Sequence, residues 1–322
     1  MGNVAICLFG CGKPDKAARG LAGAGQTLAA GLGGQLQALL VGPDENGLAA
    51  SLAAAAARLY HLDRPELSAY QPEICLRALE ESFRRLQPEV ILFGNDTYSQ
   101  ELAPRLAHRL GGSSLSDAVE LQPAGGLLRV RRPAYGGKAT AIFALRRAPA
   151  VVSIRARSFA PATPAAAPAP IERLEVELPA DAPVRIIERH VEAREGIPLE
   201  EAPVIVAGGR GLGGPEGFEE LKKLAEVMGA AVGSSRVACD EGWAPPSWQI
   251  GQTGKKVAPE LYLAVAISGA AQHLLGMADS KVIAAINTDP DAPIFKHASF
   301  GIVEDYRRVV PLLARKLAEM RK

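Results

Sequence analysis

The residues best suited to chemistry lie in the last third of the chain, in turns that directly follow short apolar runs. The first turn, Gly209-x-Gly211-x-x-Gly214, follows Val204–Ala207 and leads into a helix opened by Pro215. Glycines in this setting let the backbone approach a phosphate, and the helix N-terminus adds free amides and a positive dipole. A tight turn without a ligand would use the same glycines. The acidic residue that an NAD site places about 20 positions further on is missing, since that region reads Val232-Gly-Ser-Ser-Arg236.

A second turn, Ile267-Ser268-Gly269-Ala270-Ala271-Gln272-His273, follows the run Leu261–Ala266. Serine and glycine where a strand passes into a helix again make an anion site. The order Ser268, Asp289, His297 also matches a hydrolase triad, but the elbow of such enzymes needs glycine where Ala266 stands. His273 sits one turn inside the helix, where the dipole disfavours a protonated imidazole, so any ligand contact would use a neutral ring N–H. Arg210 and Arg236 occupy turns after strands, where a guanidinium offers charge and a planar stacking face. With Asn287, these turns converge on the carboxyl ends of neighbouring strands, where open α/β sheets bind ligands. The residues alone indicate an elongated, phosphate-bearing cofactor and leave NAD, FAD and coenzyme A open.

The elements that position these turns follow from the hydrophobic pattern. Val4–Phe9, Leu36–Val41 and Glu89–Phe93 read as strands, with helices at Lys16–Gly31, Asn46–Arg58, Pro72–Leu86 and Gln100–Leu110. This alternation predicts a parallel sheet covered on both faces. After Gly112, Val119–Leu121, Leu127–Arg131, Ala139–Ala144 and Val151–Arg155 read as strands without helices between them, so antiparallel additions are expected. The Pro/Ala run Pro161–Pro170 excludes regular structure and reads as an exposed loop or spacer. Val184–Glu188 reads as a further strand, and Val191–Pro203 as the domain boundary. Beyond it, strands at Val204–Ala207, Ala230–Val232, Leu261–Ala266 and Val282–Ile286 alternate with helices, the last starting near Asp305. The expected fold is α/β with two domains, 1–196 and 197–322, each a mostly parallel sheet covered by helices, the second doubly wound.

Composition narrows the function. In 322 residues, 36 Lys plus Arg face 35 Asp plus Glu, a net charge of +1, which speaks against nucleic-acid binding. Cys7, Cys11, Cys75 and Cys239 have neither redox nor zinc spacing and read as free thiols. No apolar run reaches the roughly 20 residues of a membrane helix, and no leader is evident, so a soluble cytoplasmic protein is expected.

The run from Gln249 to Met277, with Ile250-Gly251-Gln252-Thr253 and Ile267-Ser268-Gly269-Ala270-Ala271-Gln272-His273 inside it, closely resembles electron transfer flavoprotein α subunits. Ile286–Phe295, Gly301–Asp305, Gly208–Leu212 and Gly233–Arg236 match the same family in order and spacing, so the resemblance covers residues 203–322; the first half resembles it in layout. It implies one FAD per heterodimer, held by Arg210, Ser235, Arg236, Ile250, Gly251, Gln252, Thr253 and Ser268 to His273. Asn287 and Asp305 would hold the adenosine end, with Tyr306 adjacent. In that alignment Arg236 lies beside the isoalloxazine, Thr253 near N5 and His273 near the C2 carbonyl. The family commonly has glycine at Ala266 and lysine at Thr288. The implied function is a bacterial, cytoplasmic electron carrier rather than an enzyme. It pairs with a β subunit, takes electrons from flavoprotein dehydrogenases such as the acyl-CoA or N-methyl amino acid types, and passes them to a quinone oxidoreductase. The alternative is a subunit of an electron-bifurcating, NADH-oxidising complex.

Overall fold

The computed structural model describes residues 2–135, 139–155, 158–178, 184, 186–188 and 197–320. The chain forms two compact units, Met1–Arg189 and His190–Lys322. The boundary expected at 196/197 adjoins residues outside the described set, which take in positions 191–196 of the 191–203 linker.

In the first unit, strands and helices alternate as β1 (Val4–Phe9), α1 (Lys16–Leu32), β2 (Leu36–Val41), α2 (Leu48–Ala53), β3 (Arg58–Leu62), α3 (Pro72–Leu86), β4 (Val90–Phe93) and α4 (Thr97–Leu110). Strands β5 (Ser113–Ala118), β6 (Glu120–Ala124), β7 (Leu127–Ala134), β8 (Ala139–Leu145), β9 (Ala150–Ile154) and β10 (Ile171–Arg173) complete it. Seven strands form one sheet in the order β10-β3-β2-β1-β4-β9-β5, with every pair parallel. Because β1 alternates its side chains across the sheet, Val4 and Ile6 join a core with α1 and α2. Ala5 and Cys7 join the opposite core, with α3 and α4. Asp15 and Asp96 start α1 and α4 by accepting the amides of Ala18 and Ser99 at 2.8 and 2.9 Å, each satisfying an otherwise unpaired helix donor.

Three expectations for this unit change. The Asn46–Arg58 helix stops at Ala53, and the chain instead enters β3, whose Leu59 and Leu62 are wholly buried beside β2. Sheet pairing overrides the helix propensity of the alanine run. Val151–Arg155, expected as antiparallel, is β9, lying parallel between β4 and β5 with all five residues buried. A continuous apolar run is what a strand covered on both faces requires. The antiparallel additions form their own three-stranded sheet, β6-β7-β8. No strand occurs at Val184 or residues 186–188, and Arg185 lies outside the described residues.

The 161–170 run is irregular, as expected, but it is fastened down. Gln26 grips Thr163 from both ends of its amide, at 2.8 and 2.9 Å, and also donates to the Ala55 carbonyl at 2.8 Å. The amides of Ala165 and Ala169 donate to Ala54 and Ala53, each at 2.7 Å.

The second unit contains β11 (Val204–Gly208), α5 (Pro215–Met228), β12 (Ala231–Ser234), α6 (Arg236–Asp240), β13 (Leu261–Val265), α7 (Ala271–Leu274), β14 (Val282–Asn287), β15 (Phe300–Val303) and α8 (Tyr306–Met320). Its five strands are all parallel, in the order β12-β11-β13-β14-β15. The order reverses between β11 and β13, which marks the crevice outside their carboxyl ends as the ligand position. One face is covered by α5 and α8. On the other face the covering residues include Ile250, Val257, Ile267 and Met277, which lie in loops, and Ile294, in a short 3-10 turn. The turns singled out from sequence are therefore part of the sheet's second layer, held in place by buried side chains.

Candidate functional site

At the switch point, the loop after β11 lies against the exit of β13. Gly209 N donates to Val265 O at 3.0 Å and Gly211 N to Ala266 O at 3.3 Å. A methyl group on Gly209 would sit 2.2 Å from the Ala266 carbonyl oxygen and 2.8 Å from Ile267 Cα. The first glycine of the fingerprint is thus required by contact between two strand-end loops. Ala266 itself is left-handed, with φ +53°. An L-residue carries a steric penalty there.

The turn after β13 exposes a row of donors. Among the described residues, the backbone amides of Ser268, Gly269, Ala270, Ala271 and Gln272 have no protein acceptor. Gly269 is left-handed at φ +84°, and a methyl there would meet Ile294 N at 2.4 Å. The helix that follows, α7, is only four residues long. The anion-binding capacity therefore comes from the converging amides of the turn more than from a macrodipole, which needs aligned peptides to build up.

The loop after α6 is clipped to the same turn. Gln252 N donates to Gln272 O at 2.8 Å, and Val257 N to Gly276 O at 2.7 Å. Gly251 and Gly276 approach so closely that a methyl on Gly276 would stand 2.3 Å from Gly251 N. Ile250 is buried beneath, while Gln252 and Thr253 are exposed above. Gln249 Nε2 donates to Thr253 Oγ1 at 3.0 Å, which leaves the threonine hydroxyl proton free to donate.

His273 is 7% exposed, and its Nε2 lies 2.9 Å from the hydroxyl of the fully buried Tyr262. Burial lowers its pKa to about 4, with the Ile250 backbone opposing that shift, so the ring is neutral at pH 7. Its Nδ1 is buried and, among the described residues, makes no hydrogen bond of ordinary geometry.

Arg210 and Arg236 are exposed at the strand ends, and Ser235 is half-buried. Among the described residues, Arg236 pairs only with Asp240 on its own helix, at 3.3 Å with both side chains open to solvent. Such a pair is worth little, leaving the guanidinium available. Asn287 ties the β14 exit to the β13 exit, donating to Ile267 O at 2.9 Å and accepting from Asp289 N at 3.0 Å. Asp305 Oδ1 accepts the Arg307 amide at 2.9 Å in the first turn of α8. The Tyr306 hydroxyl is buried and donates to Leu212 O at 2.8 Å. These three, expected near the adenosine, have polar groups that lock the edges of the crevice. Ser268 and Asp289 belong to neighbouring turns bridged by Asn287.

Sequence reading passed over Gln249 and Tyr262. Tyr262 left a signal, because a tyrosine inside an otherwise apolar strand needs a partner for its hydroxyl. The β15 strand was also missed, since Phe300–Val303 is exposed at every position and shows no burial pattern.

An open parallel sheet, a switch-point crevice and a row of unpaired amides define a dinucleotide-cofactor domain. Residues 198–278 match the model of the electron transfer flavoprotein FAD-binding domain, and residues 10–179 that of the electron transfer flavoprotein domain. The chain is 38% identical over 318 residues to the electron transfer flavoprotein subunit alpha of Thermoanaerobacterium thermosaccharolyticum, covering 96% of each chain. It is 39% identical over 289 residues to that of Bacillus subtilis, covering 89% of each. To the subunit of Paracoccus denitrificans it is 45% identical over 222 residues, 69% of this chain and 70% of the relative. The chain belongs to the electron transfer flavoprotein α-subunit family, and its cofactor is FAD. The residues present fit that group: free amides for a diphosphate and exposed guanidinium groups beside them. Among the described residues, no helix is long and apolar enough to cross a membrane.

Proposed function

We propose that the chain is half of a heterodimeric electron carrier with one FAD per heterodimer, the first unit supplying the contact with the β subunit. In the cytoplasm the complex takes electrons from flavoprotein dehydrogenases of the acyl-CoA or N-methyl amino acid type and delivers them to a quinone oxidoreductase. When bound, FAD supplies reversible electron storage, and the chain supplies position and charge. The amides of Ser268 to Gln272 orient the diphosphate. Arg210, Ser235 and Arg236 place hydroxyl and positive charge at the β11 and β12 exits, where a fixed cation favours electron gain. Ile250, Gly251, Gln252 and Thr253 form the wall, with a hydroxyl proton to donate. His273 stays neutral at its base, while Asn287, Asp305 and Tyr306 hold the far edge.

The observation that carries this reading is the row of unpaired amides at the switch point, clipped to the Gln252-Thr253 loop. Co-purification with the β subunit, followed by a visible spectrum and flavin quantitation, tests it. One FAD per heterodimer supports the carrier. Two, with reduction by NADH, would favour the bifurcating complex instead, and a colourless complex would defeat both.

A further inference from the structure

Tyr262, at the second position of β13, is wholly buried and, among the described residues, its hydroxyl meets a single partner, Nε2 of His273, at 2.9 Å. Across the imidazole, Nδ1 is buried and, among the described residues, makes no hydrogen bond of ordinary geometry, although the Ile250 backbone stabilises a proton on the ring. Counting protons decides which way the bond runs. If Nε2 donated to the phenol oxygen, the phenol proton and the Nδ1 lone pair would both be buried without partners. If the phenol donates to Nε2, one group remains, the Nδ1–H, so the second arrangement leaves fewer unsatisfied polar groups. Two further observations agree. Burial raises the Tyr262 pKa and keeps the phenol a donor. The Ile250 backbone lies close enough to the ring to favour a proton on it, and Nδ1 is the nitrogen left to carry one.

We infer that Tyr262 is a positioning residue for the flavin site, donating to Nε2 so that His273 is fixed as the Nδ1–H tautomer with its N–H end toward the Ile250 to Thr253 loop. The inference rests on the FAD reading above. Gln252 N is bonded to Gln272 O at 2.8 Å, immediately before His273 in sequence. The imidazole therefore braces the same short turn that the loop hangs from. With the N–H end toward that loop, the ring dipole presents its positive end beneath the wall of the crevice. The opposite tautomer would present a lone pair there and disfavour electron gain by the bound cofactor.

The test uses the α/β complex with FAD bound, carrying isotope-labelled histidine read by nitrogen NMR, as wild type and as Tyr262→Phe. The His273 signals are assigned by their loss in His273→Gln. The expected wild-type pattern is a single neutral tautomer, protonated at Nδ1 and bare at Nε2. In Tyr262→Phe that pattern becomes mixed or reversed, and the flavin midpoint potential moves to a more negative value while the flavin spectrum persists. A wild-type ring protonated at Nε2 overturns the inference, as does a Tyr262→Phe complex that keeps both the tautomer and the potential. If that variant does not fold, the wild-type tautomer alone decides. A complex without flavin absorption defeats the FAD reading itself and is recognised by its lack of colour.

Discussion

Gly209→Ala is the sharpest test of how the crevice is built. Gly209 has an ordinary extended backbone, φ −109° and ψ −177°, so alanine brings no conformational strain. It brings a methyl group 2.2 Å from Ala266 O and 2.8 Å from Ile267 Cα. Both neighbours are backbone, so the two strand-end loops must separate by roughly 1 Å to restore van der Waals contact. Overpacking of this kind costs about 1–3 kcal/mol. The separation also stretches the bonds Gly209 N to Val265 O, 3.0 Å, and Gly211 N to Ala266 O, 3.3 Å, each worth about 1 kcal/mol. A total near 3–5 kcal/mol is a large part of a domain stability of about 5–15 kcal/mol. It falls where the Ser268 turn must be held. Urea unfolding of the complex, read together with flavin content, provides the assay. Gly229→Ala serves as the control, because that residue is left-handed at φ +64° with nothing within 4 Å. It should lose about 1–2 kcal/mol through backbone strain alone and keep its flavin. Full stability and full flavin content in Gly209→Ala would refute the close-approach argument.

Acid should weaken the second unit through His273. The folded ring takes no second proton until about pH 4, whereas the unfolded ring takes one near 6.5. Between those values the unfolded state carries the extra proton, so stability is full above pH 6.5 and falls as pH drops toward 4. The slope approaches about 1.4 kcal/mol per pH unit, on the order of 3 kcal/mol in all, and unfolding at pH 7 and pH 5 should show a shallower dependence in His273→Gln. An equal slope in both proteins would show that the imidazole is not buried neutral. Arg236→Ala should make the flavin potential more negative, as redox titration would show, and leave Tm nearly unchanged because the Asp240 pair is solvent-exposed. Gln26→Ala should release the 161–170 run and cost about 1–3 kcal/mol from three lost hydrogen bonds, two of them exposed. It should also expose a protease-sensitive segment in limited digestion.

Sequence carried the second unit well because its strands are short apolar runs ending in glycine or serine turns. α5 lies where its opening Pro215 and closing Gly229 place it. The crevice residues were legible for the same reason, as turns at successive strand exits of an all-parallel sheet meet at one edge. What was not legible is what fixes them. Asn287, Asp305 and Tyr306 have their polar groups engaged at 2.8–3.0 Å with backbone tens of residues or one turn away, and spacing carries no trace of such partners. In the first unit, β5 was missed because Ser-Ser-Leu-Ser-Asp-Ala is a polar edge strand. The orientation of β9 depends on the β6–β7–β8 excursion, which returns the chain to a place between β4 and the edge strand β5 that no local pattern reveals.

The fastened 161–170 run has a kinetic consequence. It leaves the chain after β9, near one end of the seven-stranded sheet, and delivers β10 to the opposite end, beside β3. The β1–β2 and β2–β3 pairs each close through a local strand–helix–strand unit, but β10 joins Leu59–His61 across more than a hundred residues through three paired positions. Contacts so distant in sequence and so few form late and open early. Hydrogen exchange should therefore find the β3 edge opening as a separate, low-energy unit while the β1–β4 centre stays closed. The proline-rich run acts as a belt cinched last, whose buckle is Gln26.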